Sequence, residues 1–335
     1  MRYFNSFFMV LSIFIMSFES FSEEINLYSA RKEHLIKPLT DIFTTNTGIK
    51  VNIITAKAAQ LHQRILREGK KSQADVLLTV DAGNLWRAKN ENLLQQVTSD
   101  ILNAKVKAKF KDPNNIWYGI SLRARIIVYA TERVEKNKLL GYRNLSNPIF
   151  KDRILIRSSS NIYNQSLIAH MISKYGMEDA EKWAKGLVSN LARDPAGGDR
   201  DQIKAVAAGE GDIAIVNSYY IAKMLDSDNK TLFNSLSIYF PNDDIMGTHL
   251  NISGAAVLKN APNVVNAIKF IEFLVSDEAQ HIYANSNFEY PVVEGIEIPE
   301  LLQNFGSYTE DNVLTSEYGK LSSEAIKLAD RVGWK

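Results

Sequence analysis

The sequence predicts an α/β fold built from doubly wound sheets. From Glu24 onward, short apolar runs alternate with amphipathic helical segments, which gives the β-α-β-α-β order of a doubly wound sheet. The apolar run at 76–80 has no polar alternation, as expected for a strand that is covered on both faces. A length of 335 residues leaves room for two domains of ordinary size.

The spacing of the apolar residues predicts each element in turn. In the first part of the chain we expect strands at 25–28, 51–54 and 76–80, with helices ending near Gly48 and at Gly69. In the second part we expect strands at 126–129, 154–156, 213–216 and 255–258, with helices around 167–172, 202–208 and 264–274. The sequence shows no short repeat and no low-complexity linker.

The first 22 residues are predicted to be a secretory signal peptide. Met1 and Arg2 give a positive start, and residues 7–16 form an apolar stretch that is short for a membrane span. The small residues Ser20 and Ser22 then fit a cleavage site before Glu23. We therefore expect an exported protein that is not inserted in the membrane.

Composition argues against several classes of function. The chain has no cysteine, which excludes disulfides, cysteine-ligated zinc, iron–sulfur clusters and a lipid-bearing cysteine anchor. A net charge of +1 without long runs of one sign argues against a nucleic-acid partner. A Gly-x-Ser-x-Gly or His-Glu-x-x-His motif is also absent, so an enzyme is not expected. His170 falls on an amphipathic helix, where a solvent-facing or packing role is predicted.

Three tyrosines stand where predicted strands give way to helices. Tyr219 and Tyr220 follow the strand at 213–216, and Tyr163 follows the strand at 154–156. Ligands of open α/β sheets bind beyond the carboxyl ends of strands, and helix N-termini favour anions such as phenolates. Because hard cations prefer oxygen donors, we expect these side chains to bind a trivalent metal, Fe3+. Residues 158–161 are predicted to supply the start of the helix that carries Tyr163, with hydroxyl groups as caps.

A simpler role for these tyrosines stays open at this point. The chain has 14 tyrosines, and most tyrosines in proteins pack against apolar neighbours with a hydrogen-bonded hydroxyl.

The chain resembles the periplasmic ferric-iron-binding proteins of bacterial ABC importers, from about residue 25 to about residue 291. The segments that carry the resemblance are residues 26–29, 74–81, 118–120, 123–125, 197–202, 217–220, 251–254 and 289–291. The resemblance implies a two-lobed type II periplasmic binding protein fold. Each lobe is then a doubly wound mixed sheet flanked by helices, with the ligand cleft between the lobes. The implied lobes are 23–123 with 248–300, and 124–247 with 301–335.

The same resemblance implies the function. Tyr163, Tyr219 and Tyr220 would bind Fe3+ in the periplasm, and a monomeric protein would deliver it to a membrane permease with its ATPase. The rival interpretation is a binding protein for an organic solute or an oxyanion on the same fold, with the tyrosines stacking on the ligand or hydrogen-bonding to it.

One departure from the family pattern changes the expected ligand set. Many relatives have His-Tyr after the first strand, whereas this chain has Lys32, Glu33 and His34 after Arg31. Some relatives without that pair fill the open positions with carbonate held by arginines. Arg31 and Arg123 occupy the matching positions, and arginine chelates planar oxyanions in a bidentate manner. The alternatives are structural salt bridges for the two arginines, and Glu33 as an additional oxygen ligand.

Overall fold

The computed structural model describes residues 23–227 and 230–335, and the predicted signal peptide lies outside these residues. Within them the chain forms a mixed α/β structure, which confirms the predicted class. No helix among the described residues is both long enough and apolar enough to cross a membrane.

The strands and helices follow one another in chain order. The strands are β1 (Glu24–Ser29), β2 (Lys50–Thr55), β3 (Val76–Thr79), β4 (Tyr118–Ala130), β5 (Ile154–Leu155), β6 (Ile213–Asn217), β7 (Leu236–Tyr239) and β8 (Leu250–Val257). The helices are α1 (Glu33–Thr47), α2 (Ala58–Glu68), α3 (Ala82–Asn90), α4 (Asp100–Lys105), α5 (Ile162–Ser189), α6 (Asp199–Ala208), α7 (Ser218–Leu225), α8 (Val264–Leu274), α9 (Asp277–Asn287), α10 (Glu300–Asn304), α11 (Thr315–Lys320) and α12 (Ser322–Arg331).

The sheet has two halves that share the long strand β4. Its strand order is β2-β1-β3-β8-β4-β6-β5, and β7 also pairs with β4. Up to Ala124, β4 pairs with β8; from Arg125 it pairs with β6, and further along also with β7. The strand β4 therefore passes from one half of the sheet to the other between Ala124 and Arg125, where its partner changes. The exact limits of the predicted lobes remain a prediction.

Both faces of β4 are buried. Ile126 and Val128 belong to one apolar core, whereas Ile127 and Tyr129 belong to the second. This alternation follows from the two-residue period of a strand. It explains why apolar residues run without interruption through this part of β4.

Three elements differ in extent from the sequence prediction: the helix predicted around 167–172 and the strands predicted at 126–129 and 255–258, the last of which begins earlier, at Leu250. The predicted helix around 167–172 is part of the longer α5, which is interrupted at Gly176, where φ is +79° and glycine is favoured. β4 begins at Tyr118, well before the predicted strand at 126–129. Its polar residues Ser121, Arg123 and Arg125 resemble surface positions in the sequence, but all three are buried.

A hydrogen-bonded histidine pair lies where the two halves meet. The Nδ1 atoms of His170 on α5 and His249, which directly precedes β8, are 2.9 Å apart. His170 Nε2 lies 2.8 Å from Asp311 Oδ2, and His249 Nε2 lies 3.2 Å from Ser166 Oγ. Both rings are fully buried, so of the two roles predicted for His170 the packing role is confirmed and the solvent-facing role is wrong; its polar partners were not predicted.

This pair makes stability depend on pH. Burial lowers the pKa of both histidines; Asp311 opposes the shift at His170, while His170 and Arg125 add to it at His249. The unfolded chain takes up protons near the ordinary histidine pKa of about 6.5, while the buried rings stay neutral, so acid favours unfolding. We expect the thermal midpoint of the metal-free protein to decrease as the pH is lowered from about 7.5 to about 5.5.

The variant His249→Gln should reduce this pH dependence, whereas His281→Gln, at an exposed position, should leave it unchanged. Burial raises the pKa of Asp81 to about 6, so below that pH Asp81 stabilises the fold as the pH falls and opposes the effect of the histidines. The pH dependence of each variant therefore has to be compared with that of the parent protein. An unaltered pH dependence in His249→Gln would contradict the assignment.

Candidate metal centre

Tyr163 lies in the first turn of α5. Asn161 is the N-cap residue, and its side-chain oxygen accepts a hydrogen bond of 3.0 Å from the Tyr163 N–H. The predicted start of a helix is confirmed, but the cap is this amide and not a serine hydroxyl. The cap fixes the backbone of Tyr163 and leaves its ring half-buried.

Tyr219 and Tyr220 are the second and third residues of α7. The helix begins at Ser218, directly after β6 ends at Asn217. Adjacent residues on a strand would point to opposite faces, whereas on a helix their directions differ by about 100°. The two rings therefore lie side by side, with centroids 4.1 Å apart and planes inclined by 35°.

The two helix starts bring the three tyrosines together. Tyr163 Oη and Tyr219 Oη are 3.5 Å apart, although the residues are 56 positions apart in the sequence. Adjacent oxygen ligands of a small octahedral cation lie about 2.9 Å apart, so a small contraction would let both oxygens bind one ion. Groups of three or more His, Asp or Glu side chains placed to hold a metal are absent from the described residues. The cluster is therefore a set of phenolic oxygens.

The hydroxyls of Tyr219 and Tyr220 hold their protons more strongly than a free tyrosine does, because the pKa of both groups is raised. Burial raises the pKa of Tyr219 well above its ordinary value; the negative charge of ionised Tyr163 or Tyr220 would raise it further, and Arg123 opposes the shift. Burial also raises the pKa of Tyr220, and Tyr163 contributes in the same way. Phenolates form here only if a cation compensates for burial and for mutual repulsion.

Four arginines lie beside the tyrosine rings. The guanidinium carbons of Arg123, Arg157 and Arg125 are 5.5, 5.7 and 6.0 Å from the centre of the Tyr163 ring. The guanidinium of Arg200 is 5.3 Å from the centre of the Tyr220 ring. These positive charges favour the ionised form of phenols and the approach of anions.

Asp199 links the two helix starts. Its carboxylate accepts hydrogen bonds from Arg125 at 2.7 Å, from Arg157 at 3.2 Å and from the backbone N–H of Asn217 at 2.8 Å. Arg125 also donates to Asn164 Oδ1 at 2.6 Å, on the same helix as Tyr163. One buried carboxylate therefore holds the residue before α7 and both arginines that flank α5.

Arg31 forms a buried ion pair. Its guanidinium donates two hydrogen bonds to the Glu289 carboxylate, at 2.8 and 2.9 Å, and one to Ser253 Oγ at 2.7 Å. Both side chains are almost fully buried. Burial raises the pKa of Glu289, but Arg31, together with Arg123 and Ser121, outweighs this effect, so the pKa is lowered. Arg31 and Glu289 are therefore both ionised, and their two charges cancel. The alternative role of Arg31 in a structural salt bridge is thus present in this structure.

Arg123 has a different environment. Its Nη2 donates to the backbone oxygens of Val80 and Ile252, and its Nε is buried without a hydrogen-bond partner. Among the described residues, no carboxylate forms a salt bridge with Arg123, so its charge is available to an anion beside Tyr163.

Glu33 is the first residue of α1 and is exposed, and it makes no side-chain hydrogen bond within the described part of the chain. Among the described residues, no hydrogen bond joins Glu33 to the tyrosines.

Sequence reasoning gave no role to Asp199, Arg157, Arg200 or Glu289. Asp199, Arg200 and Glu289 fall in segments that carry the resemblance, but nothing in the sequence indicates their partners. Arg31 and Glu289, for example, are 258 positions apart.

The chain matches a known protein family over most of its length. A family model described as bacterial extracellular solute-binding protein matches residues 71–320. The chain belongs to this family. This solute-binding protein is 44% identical over 316 residues to iron uptake protein A1 of Synechocystis, covering 93% of this chain and 88% of that protein. It is 31% identical over 277 residues to the major ferric iron-binding protein of Neisseria meningitidis, covering 80% and 81%.

A solved structure shows the same likeness. The solute-binding protein superposes on the Trichodesmium protein IdiA (FutA), in complex with iron and citrate ligands, with a TM-score of 0.90 and 51% identity. The match covers 93% of this chain and 100% of that one. These findings confirm the predicted periplasmic binding protein fold and the resemblance to ferric-iron-binding proteins.

Proposed function

We propose that this solute-binding protein captures Fe3+ in the periplasm with the phenolates of Tyr163, Tyr219 and Tyr220, and that an anion completes the shell. The observation that carries the proposal is the 3.5 Å approach of Tyr163 Oη and Tyr219 Oη, with Tyr220 stacked beside Tyr219. The names of the relatives, which include iron uptake and ferric iron-binding proteins, support the choice of metal.

The protein's own charges determine how binding proceeds. Binding displaces the phenol protons of Tyr219 and Tyr220, because burial raises the pKa of both groups and metal ligands have to be deprotonated. Three phenolates balance the charge of Fe3+, and Arg125 and Arg157 are paired with Asp199, so the excess positive charge comes from Arg123 and Arg200, which form no salt bridge among the described residues. No covalent chemistry is required.

The anion of this proposal is carbonate, and Arg123 is its main contact. Arg123 has no carboxylate partner among the described residues and lies beside Tyr163. Arg31 can contribute only if the anion shares its guanidinium with Glu289, which already accepts two of its hydrogen bonds. Glu33, which is exposed, is a weaker candidate for the remaining positions.

Delivery is to an ABC permease and its ATPase, with the loaded monomer docking on the permease. Release follows protonation of the anion or of the phenolates, or reduction to Fe2+, because each of these weakens binding to deprotonated oxygen ligands.

The experiment is a ferric titration followed by visible absorbance. Phenolate-to-Fe3+ charge transfer should colour the loaded protein, and the affinity should fall when bicarbonate is removed. Arg123→Gln should weaken binding in bicarbonate by about 10-fold or more, as expected for a lost charge-assisted hydrogen bond. Glu33→Gln, the matched control, should bind as the parent does.

The opposite results would decide against the proposal. If the protein stays colourless with ferric citrate and an organic solute or oxyanion raises its thermal midpoint instead, the rival function is supported. If binding is independent of bicarbonate and Glu33→Gln weakens it, Glu33 replaces the anion in the shell.

A further inference from the structure

The residues Trp334 and Lys335 contact the loop that leads to Tyr163, although they are more than 170 positions away. The backbone oxygen of Trp334 accepts a 2.6 Å hydrogen bond from Ser159 Oγ, and that of Lys335 accepts one of 3.0 Å from the Ser159 N–H. The Trp334 indole N–H donates to the backbone oxygen of Arg157 at 3.3 Å. Three hydrogen bonds therefore hold residues 157–159 from this side.

The same loop is held from the other side by α5. Asn164 Nδ2 donates to the backbone oxygens of Arg157 and Ser158, at 2.8 and 3.1 Å. The Arg157 oxygen thus accepts two hydrogen bonds, one from Asn164 and one from Trp334. Because Asn161 caps the helix that carries Tyr163, the position of this loop fixes both Arg157 and the first turn of α5.

The indole of Trp334 is oriented as well as buried. Trp334 is 2% exposed, and its ring packs edge-to-face against Trp183, with centroids 6.2 Å apart. The Trp183 N–H donates elsewhere, to the backbone oxygen of Tyr142 at 2.9 Å. The two tryptophans therefore share one packing contact, but only Trp334 reaches the loop before Tyr163.

We propose that Trp334 is a positioning residue for the metal site. It holds residues 157–159 so that the Arg157 guanidinium stays beside Tyr163 and paired with Asp199. Tyr163 then enters the ligand cluster at the right distance from Tyr219. This inference rests on the proposed ferric site.

The test compares Trp334→Phe with Trp183→Phe in the full chain, using Fe3+ with bicarbonate as the probe. Each variant removes one indole N–H and similar volume from the same aromatic pair. Trp334→Phe should lower ferric affinity about fivefold, as expected for one lost hydrogen bond, and should shift the charge-transfer absorption maximum. Both variants should lower the thermal midpoint to a similar extent. Trp183→Phe, however, should leave the ferric affinity and the absorption maximum unchanged.

A second variant keeps the test decisive if Trp334→Phe does not fold. Ser159→Ala removes only the hydrogen bond to the Trp334 oxygen and should change affinity and absorption in the same direction. Parent-like affinity and absorption in Trp334→Phe, or in Ser159→Ala where Trp334→Phe does not fold, would overturn the proposal, as would equal losses in Trp183→Phe. If the parent protein itself binds no Fe3+, the proposed function fails instead.

Discussion

Tyr219→Phe is expected to lower the affinity for ferric iron by more than about 100-fold, since loss of a direct ligand should exceed the effect of losing a group that only orients one. Tyr219 lies between the other two tyrosines: its hydroxyl approaches Tyr163, and its ring stacks on Tyr220. Removal of its oxygen leaves Fe3+ with two phenolates and a net positive charge beside four arginines. Competition with a ferric chelator of known affinity measures the loss.

The same substitution should have the opposite effect on the metal-free protein. The Tyr219 hydroxyl is desolvated, and among the described residues its hydrogen bond is the long contact to Tyr163. Its loss therefore costs little and removes a buried polar group. The thermal midpoint without iron should therefore be unchanged or higher. Tyr239→Phe, at a half-buried tyrosine on β7, is the matched control and should not alter ferric affinity. Parent-like ferric affinity in Tyr219→Phe would exclude the tyrosine as a ligand.

Asp199→Asn is expected to give the largest loss of stability, about 3–5 kcal/mol in the free energy of unfolding. The Asp199 carboxylate accepts hydrogen bonds from two arginines and a backbone N–H, and the Asp199 and Arg125 side chains are 0% and 1% exposed. The amide keeps the shape but removes the charge, which leaves Arg125 buried without a counter-charge. Urea unfolding of the metal-free protein measures the difference.

Asp41→Asn provides the control for this prediction. Asp41 forms an exposed ion pair with Lys37 one helical turn away, and such pairs contribute about 0.3–0.5 kcal/mol. A loss in Asp199→Asn no larger than that of Asp41→Asn would show that the buried charges are satisfied in another way.

The order of the main strands and helices could be predicted from the sequence because their apolar residues recur at the regular spacings of strands and helices. The start of β4 could not, because Ser121, Arg123 and Arg125 place polar side chains in a strand that is buried on both faces. Their partners come from distant parts of the chain: Arg125, for instance, pairs with Asp199, 74 positions away.

The site shows the same division. That Tyr163, Tyr219 and Tyr220 stand at helix starts follows from local sequence, and the structure confirms those positions. The ion pair between Arg31 and Glu289 depends on how the halves of the sheet pack, and no local signal predicts it. The sequence therefore allowed a salt bridge as the alternative role of Arg31, but it did not identify the Glu289 carboxylate as the group that competes with an anion.

The continuity of β4 has a mechanical consequence. The strand passes through both halves of the sheet without a break, and its antiparallel neighbours keep it extended on either side of the Ala124–Arg125 junction. We therefore expect a rotation of one half against the other to twist β4 over several hydrogen-bonded peptide units. A continuous strand of this kind should limit the size of the rotation and favour return to the starting arrangement, whereas a flexible linker would not restrain the two halves.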